Sequence, residues 1–264
     1  MEPIPLLHNK HILLGVSGGI AAYKTADLAS KLTQAGALVD VVLTESAAKF
    51  VGPVTFAAVT GRAALTDAEL WRHDAHVPHV QLGEQADLMI VAPATANTLA
   101  KLAHGQADNL LTVVALAARC PIILAPAMDG GMWSNPATQA NVAVLRERGC
   151  RICGPAVGRM ASGLIGEGRM LEPLDILGYA RVVLGEQGPL AGKKIVVTAG
   201  GTHEAIDPVR FIGNRSSGKQ GFAIAQAAID RGAAVTLIAG VSALPTPYGA
   251  TRIDVESAQQ MCEA

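Results

Sequence analysis

The stretch ADLMIVAPATANTLAKLAHGQADNLL, Ala86–Leu111, decides the fold. Leu88-Met89-Ile90-Val91 is an uninterrupted apolar run, the pattern of a strand buried on both faces of a parallel sheet. Pro93 is expected to end it, since proline has no N–H for the ladder and disfavours helix before itself. Ala94-Thr95-Ala96-Asn97-Thr98 then open a helix with small residues and short polar side chains. Open, doubly wound α/β sheets bind ligands outside the carboxyl ends of their strands, which is where this turn falls. Small side chains let a flat ligand approach the backbone, and Thr95, Asn97 and Thr98 offer hydrogen bonds that orient it. A helix N-cap needs only one such group. Three in four residues read as a binding edge, with Ala94 part of it.

Before this stretch the chain repeats the same unit twice. His11–Val16 reads as a strand leading through Ser17-Gly18-Gly19 into an Ala-rich helix that ends near Gly36. A glycine turn between strand and helix offers backbone N–H groups and a positive helix end to a phosphate. Gly15, Ser17 and Gly18 are the candidates here, although tight-turn glycines explain the pattern about as well. The spacing is not the dinucleotide fingerprint G-x-G-x-x-G. A second strand, Leu38–Leu43, runs into Thr44-Glu45-Ser46 and a second helix, where Ser46 either caps that helix or touches the ligand. Asp40 lies before the strand end, so no acid grips a ribose, and a mononucleotide such as a flavin phosphate fits better than a nicotinamide dinucleotide.

The region beyond supplies the remaining candidates. His73, His76 and His79 are spaced by three, but Pro78 breaks any shared helical face and no Cys or Glu set accompanies them, so no metal site is assigned. His79 stands apart because it precedes Val80-Gln81-Leu82, the approach to the central strand, at the expected pocket rim, where an imidazole handles a proton or orients a carboxylate. A further strand at Pro121–Ala125 leads to Pro126-Ala127-Met128-Asp129-Gly130-Gly131-Met132-Trp133, an apolar lid or core segment. Ser134 or Asn135 then caps a helix that starts at Pro136. Cys150 and Cys153 form C-x-x-C between a helix and a strand, the reverse of a redox context, and read as buried thiols. Residues 154–170 read as a long loop with five glycines, a flap over substrate. A helix is expected from Pro173 to Leu184, a linker over 185–192, and a second α/β domain from 193. That domain holds a strand at Ile195–Thr198, a long polar loop to Gly218, a helix over Lys219–Arg231, and strands Val235–Ala239 and Arg252–Val255. Three strands are thin for an independent sheet, so the C-terminus is expected to be cut.

Composition narrows the class. At 264 residues and a formal net charge of -1, the chain has no electrostatic footprint for nucleic acid or anionic membrane. No signal-peptide pattern, no spanning apolar run and only four scattered cysteines are present, so a cytoplasmic protein is the expectation.

GVSGGIAAYK, HVQLGEQADL, APATANT, APAMDGGMW, ASGLIGEGRM and TAGGTHEAIDPVRFIGNRSSGKQGFAIA follow one another in this order. With them the whole chain resembles the bifunctional phosphopantothenoylcysteine decarboxylase/phosphopantothenate–cysteine ligases of bacterial coenzyme A biosynthesis. The resemblance implies a flavodoxin-like, homo-oligomeric, trimer-based FMN domain over 1–184, and the start of a Rossmann-like ligase domain over 193–264. It implies FMN-dependent decarboxylation of 4′-phosphopantothenoylcysteine to 4′-phosphopantetheine through thioaldehyde and enethiol intermediates. The ligase would use CTP and Mg2+ to join 4′-phosphopantothenate to cysteine. By the same resemblance His79 is the active-site histidine, and Gly15, Ser17, Gly18, Thr44, Ser46 and the Ala94–Thr98 turn hold FMN. Asp129, Met132 and Ser162 meet substrate, and Arg210 and Asn214 belong to the ligase. Two positions depart from the family pattern: Asp129 replaces its substrate-binding asparagine, and Ser162 its proton-donating flap cysteine. Two alternatives stay open, a flavoprotein acting on another cysteine substrate such as a peptide, and a non-catalytic flavin-binding subunit.

Overall fold

The computed structural model describes residues 3–71, 78–159 and 163–264. Packing separates Met1–Leu177 from Gly178–Ala264. The first unit opens with β1 (His11–Val16), α1 (Ala22–Gln34) and β2 (Leu38–Leu43), followed by short helices α2 (Glu45–Ala48) and α3 (Pro53–Thr60). Helix α4 (Pro78–Gln85) precedes β3 (Leu88–Ala94), and α5 (Ala96–His104) and α6 (Leu110–Ala117) follow it. Next come β4 (Ile122–Pro126), α7 (Gly130–Trp133), α8 (Pro136–Glu147) and β5 (Arg151–Ile152). The five strands form one parallel sheet in the order β2-β1-β3-β4-β5.

The central strands are apolar because both faces are covered. All seven residues of β3 are buried. Leu13, Met89, Val91 and Leu124 pack with Leu99 of α5, Leu111 and Val114 of α6, and Val142 of α8. Side chains alternate along a strand, so Ile12, Leu14 and Ile90 face the opposite side, where α1 buries Leu28 and Leu32 and contacts β1, β2 and β3. The result is a doubly wound, flavodoxin-like α/β sheet with its strand ends on one edge.

Three expectations need correction in this unit. Pro93 does not end β3: Ala94 pairs with Pro126 of β4 after a shift in register beyond Val91, so the missing N–H falls in the irregularity. The described residues of 154–170 are not an open loop. They hold the antiparallel hairpin β6 (Ala156–Arg159) and β7 (Ile165–Arg169), whose base is pinned where the Met128 N–H donates to the Gly168 carbonyl at 2.9 Å. Frequent glycines hid the alternation that marks strands. Ser46 is not a cap, because Thr44 caps α2 by accepting the Ala47 N–H at 3.1 Å. The C-x-x-C pair flanks β5, with Cys153 buried and Cys150 half-buried, and burial pushes the Cys150 thiol up. His73, His76 and Ser162 lie outside the described residues.

Helix α9 (Pro173–Gly185) crosses into the second unit, so packing divides the chain N-terminal to residues 185–192. Within that unit Arg181 clasps Asp230 with both oxygens, at 2.9 and 2.6 Å, and the Leu190 N–H donates to the Arg231 carbonyl. Strands β8 (Lys194–Ala199), β11 (Ala234–Ala239) and β12 (Ala250–Asp254) form a parallel sheet in the order β12-β11-β8, covered by α10 (Lys219–Ile229). The expected polar loop after β8 contains a second hairpin, β9 (His203–Ala205) and β10 (Phe211–Gly213). Its strands are three residues each, too short for a periodicity to register, and the stacked rings of His203 and Phe211, 3.8 Å apart, pair them. Helix α11 (Ala258–Glu263), missed in the sequence, starts at a capping box between Ser257 and Gln260.

Helix α4 crosses α6 at Gly83. A Cβ there would lie 2.8 Å from the Ala117 carbonyl carbon, an atom of the backbone that cannot swing aside. Alanine is worth about 1 kcal/mol over glycine inside a helix, but overpacking costs about 1–3 kcal/mol. Gly83→Ala is therefore expected to lower the thermal midpoint, and a rise in that midpoint would refute the close crossing.

Candidate functional site

Turns that follow β1, β2, β3 and β4 meet at the carboxyl edge of the sheet and enclose a cleft of about 1100 Å³. The wall begins with a brace. Ser17 is fully buried, and its hydroxyl donates to the Pro93 carbonyl at 2.7 Å while accepting the Thr95 N–H at 3.1 Å. The turn after β1 is thereby tied to the turn after β3. Thr95 in turn caps α5, with Thr98 N–H 3.3 Å from its hydroxyl and the Thr98 hydroxyl at 3.1 Å. The plain cap reading thus holds for Thr95, with Thr98 the residue it caps, and both also line the cleft. Asn97 is exposed to the cleft, and its amide has no protein partner among the described residues.

Gly18 brings the first two turns together. A Cβ on it would sit 2.3 Å from the Ser46 Cβ and 2.8 Å from the Ser46 carbonyl carbon. Gly18, Thr44 and Ser46 all line the cleft, and the Ser46 hydroxyl has no protein partner among the described residues. Close backbone approach, a helix start and several hydroxyls suit an anionic oxygen cluster. Three expected cofactor residues lie behind this wall. Gly15 faces Leu111 in the core, Ser17 spends its hydroxyl on the brace, and Ala94 is fully buried in β3.

Opposite, Asp129 caps α7, its Oδ1 accepting the Gly131 N–H at 3.0 Å. It lines the cleft beside Met128 and Met132. Met132 is exposed there while Trp133 turns into the core, so the segment divides between cleft and core. His79 does not line the cleft of its own chain. It stands in the first turn of α4, with Nδ1 buried and lacking a hydrogen-bond partner. The pocket-rim expectation fails because the segment before β3 is a helix packed on α6.

Several lining residues were missed in the sequence: Tyr23, Lys24, Lys101, Asn109, Arg159 and Arg169. Lys24 stood in the glycine-turn motif but on a helix face that reads as core. Its ammonium lies 2.8 Å from Glu172, and that hydrogen bond holds the Glu172 carboxyl below the usual range, with Arg169 contributing. Only the hairpin, invisible as such in the sequence, brings Arg159 and Arg169 to the same wall. Among the described residues no group of three His, Cys, Asp or Glu side chains is arranged to hold a metal, and no helix is long and apolar enough to cross a membrane.

In the second unit Arg210 is exposed and pairs with Asp207 at 2.6 Å, and the Asn214 side chain accepts the Ser216 N–H at 2.9 Å. A shallower cleft of about 480 Å³ lies at the ends of β11 and β12, between Ser242, Asp254 and Glu256, and neither Arg210 nor Asn214 lines it.

Comparison with known proteins finds two families along the chain. The flavoprotein family matches residues 5–183, and the C-terminal domain family of DNA/pantothenate metabolism flavoproteins matches residues 190–264. The coenzyme A biosynthesis bifunctional protein of Mycobacterium tuberculosis is 52% identical over 260 residues, which cover 97% of this chain and 62% of that protein. Its namesake in Vibrio vulnificus is 48% identical over 258 residues, covering 98% of this chain and 64% of the relative. The chain thus spans less than two thirds of the length of these relatives. Among solved structures, a PPC decarboxylase mutant complexed with pantothenoylaminoethenethiol is 35% identical at a TM-score of 0.62, over 66% of this chain and 98% of the other. The FMN-dependent cysteine decarboxylase SpaF is 40% identical at 0.55, over 62% and 91%. From these matches and the cleft at its sheet edge, the chain belongs to the flavoprotein family, among the relatives of the coenzyme A biosynthesis bifunctional proteins and of PPC decarboxylase.

Proposed function

We propose that residues 1–184 bind FMN and decarboxylate 4′-phosphopantothenoylcysteine to 4′-phosphopantetheine. The observation that carries this reading is the cleft itself, an uncharged cradle of Gly18, Ser46 and Thr95 facing an apolar wall of Met128 and Met132. Its volume of about 1100 Å³ exceeds what one small ligand fills, leaving room for cofactor and substrate together. Gly18, Thr44, Ser46, Thr95, Asn97 and Thr98 would hold the flavin, and the contact of Gly18 with Ser46 fits a ligand that needs close backbone approach. Flavin supplies, when bound, the hydride acceptor and donor without which loss of CO2 would leave an unstabilised carbanion. The protein's own work is orientation and proton handling. Ser17 keeps two turns in register, Met132 shields the cleft from water, and Asp129 and Ser162 stand where the family pattern puts substrate and proton donor.

His79 meets this chemistry only through a second copy of the chain, so homo-oligomeric, trimer-based assembly is part of the proposal. Its unpartnered Nδ1 supports a role that the single chain does not satisfy. Residues 193–264 are read as the N-terminal part of a ligase that uses CTP and Mg2+, with Arg210 and Asn214 in its site. The likeness to SpaF favours one other reading, action on a peptide cysteine. The second domain weighs against it, since peptide processing has no need of a ligase. Measuring CO2 release from 4′-phosphopantothenoylcysteine and from a peptide ending in cysteine separates the two, and release from neither would leave a flavin-binding subunit.

Purified protein should release FMN on denaturation, and Gly18→Ala should weaken flavin binding about tenfold or more, because its Cβ forces the Ser46 turn away. Chromatography and a flavin titration check this; recovery of FAD, or unchanged affinity in the variant, counts against it. His79→Asn is expected to keep flavin and assembly state while losing CO2 release by roughly a hundredfold or more. Near-normal turnover would remove His79 from the reaction. Asparagine caps helices as well as aspartate, so Asp129→Asn isolates the carboxyl's chemistry. Thermal stability should hold while the yield of fully reduced product falls, as read by mass spectrometry, and an unchanged yield would show that Asp129 supplies no proton.

A further inference from the structure

Three cations of the cleft have no part in the chemistry above: Lys24, Arg159 and Arg169. Lys24 is buried, and its ammonium sits 2.8 Å from Glu172 Oε1. Arg169 reaches the same oxygen at 2.7 Å. Two positive charges share one carboxylate, and Arg159 has no acidic partner among the described residues. Burying an ammonium is unfavourable unless its charge is compensated, and one shared carboxylate leaves the trio with an excess of positive charge. The other acids lining the cleft are elsewhere: Asp108 pairs with Lys101, Asp67 accepts the Leu110 N–H, Asp129 caps α7, and Glu45 is exposed on α2. A group of one ammonium and two guanidiniums is the chemistry that binds a phosphate dianion. The flavin cradle at Gly18, Ser46 and Thr95 is uncharged, and the Lys24 ammonium is bonded to Glu172, at the foot of the hairpin.

We propose that Lys24, Arg159 and Arg169 form the subsite for the phosphate monoester end of the substrate, with Glu172 holding two of the three in place. The subsite rests on the decarboxylase reading and deepens it: these residues set the preference for a phosphorylated pantothenoyl substrate over the same compound without phosphate. A purely structural role, in which the trio only anchors the hairpin through Glu172, would affect stability and leave that preference alone.

The test compares kcat/KM of flavin-loaded protein for 4′-phosphopantothenoylcysteine and for pantothenoylcysteine. Wild type should prefer the phosphorylated compound strongly. Arg159→Gln and Arg169→Gln, both at exposed positions that tolerate the change, should each shrink the preference about tenfold or more, the loss falling on the phosphorylated compound. Lys24→Gln should act in the same direction, and because Lys24 is buried the two arginine variants carry the decision if it does not fold. An unchanged preference in both arginine variants overturns the subsite while the decarboxylase reading stands. Loss of flavin from those variants would assign the cations to the cofactor phosphate and also overturn it. Failure of wild type to release CO2 from either compound overturns the underlying reading, and the subsite falls with it.

Discussion

The cleft depends on one hydroxyl. Ser17 follows β1, and its Oγ serves the Pro93 carbonyl and the Thr95 N–H that follow β3, the neighbouring strand. Both backbone groups lie where a proline and an irregular register interrupt the ladder between strands; without the hydroxyl the Thr95 N–H would lose its partner, and the Pro93 carbonyl would keep only the Ser17 N–H at 3.4 Å. Leaving one such group unsatisfied costs about 1–3 kcal/mol. The serine therefore does more for the site by standing behind it than it would by touching a ligand. It fixes the spacing between two turns that Gly18 and Thr95 present to the cleft.

Around that brace, small side chains set distances and polar ones set orientation. Gly18 packs against Ser46 so closely that no Cβ fits, which draws the turns after β1 and β2 into one surface. Thr44, Thr95 and Asp129 each cap the helix that their turn begins. Capping and binding are not competing explanations of these residues. A cap leaves a hydroxyl or carboxylate at a helix start, at the open edge of the sheet, which is where a ligand of this fold lies.

Charge is placed apart from this uncharged cradle. Lys24, Arg159 and Arg169 come from α1 and the hairpin, and Glu172 gathers the first and the last of them. The hairpin is held to the sheet edge by the Met128–Gly168 hydrogen bond, so its arginines reach the cleft through backbone pairing and not through any local motif.

The sequence by itself determined the parallel sheet, because strands buried on both faces are continuous apolar runs and β1, β3 and β4 read as such at Ile12, Leu88 and Ile123. It also pointed to the edge that carries the cleft, since Ser17-Gly18-Gly19 and Thr95 at the start of α5 follow the ends of strands. Both hairpins were hidden, because short strands containing glycine or charge carry no alternation strong enough to read. Which candidates face the cleft was decided by tertiary structure alone. Gly15, Ser17 and Ala94 share the motif with Gly18 and Thr95, yet the pleat and the register shift turn them inward. Lys24 and Arg169 are far apart in sequence and meet because one carboxylate binds both, and the hairpin carries Arg159 to the same cleft. Spacing along a chain records what is local, and the pairing of distant charges across a cleft is not local.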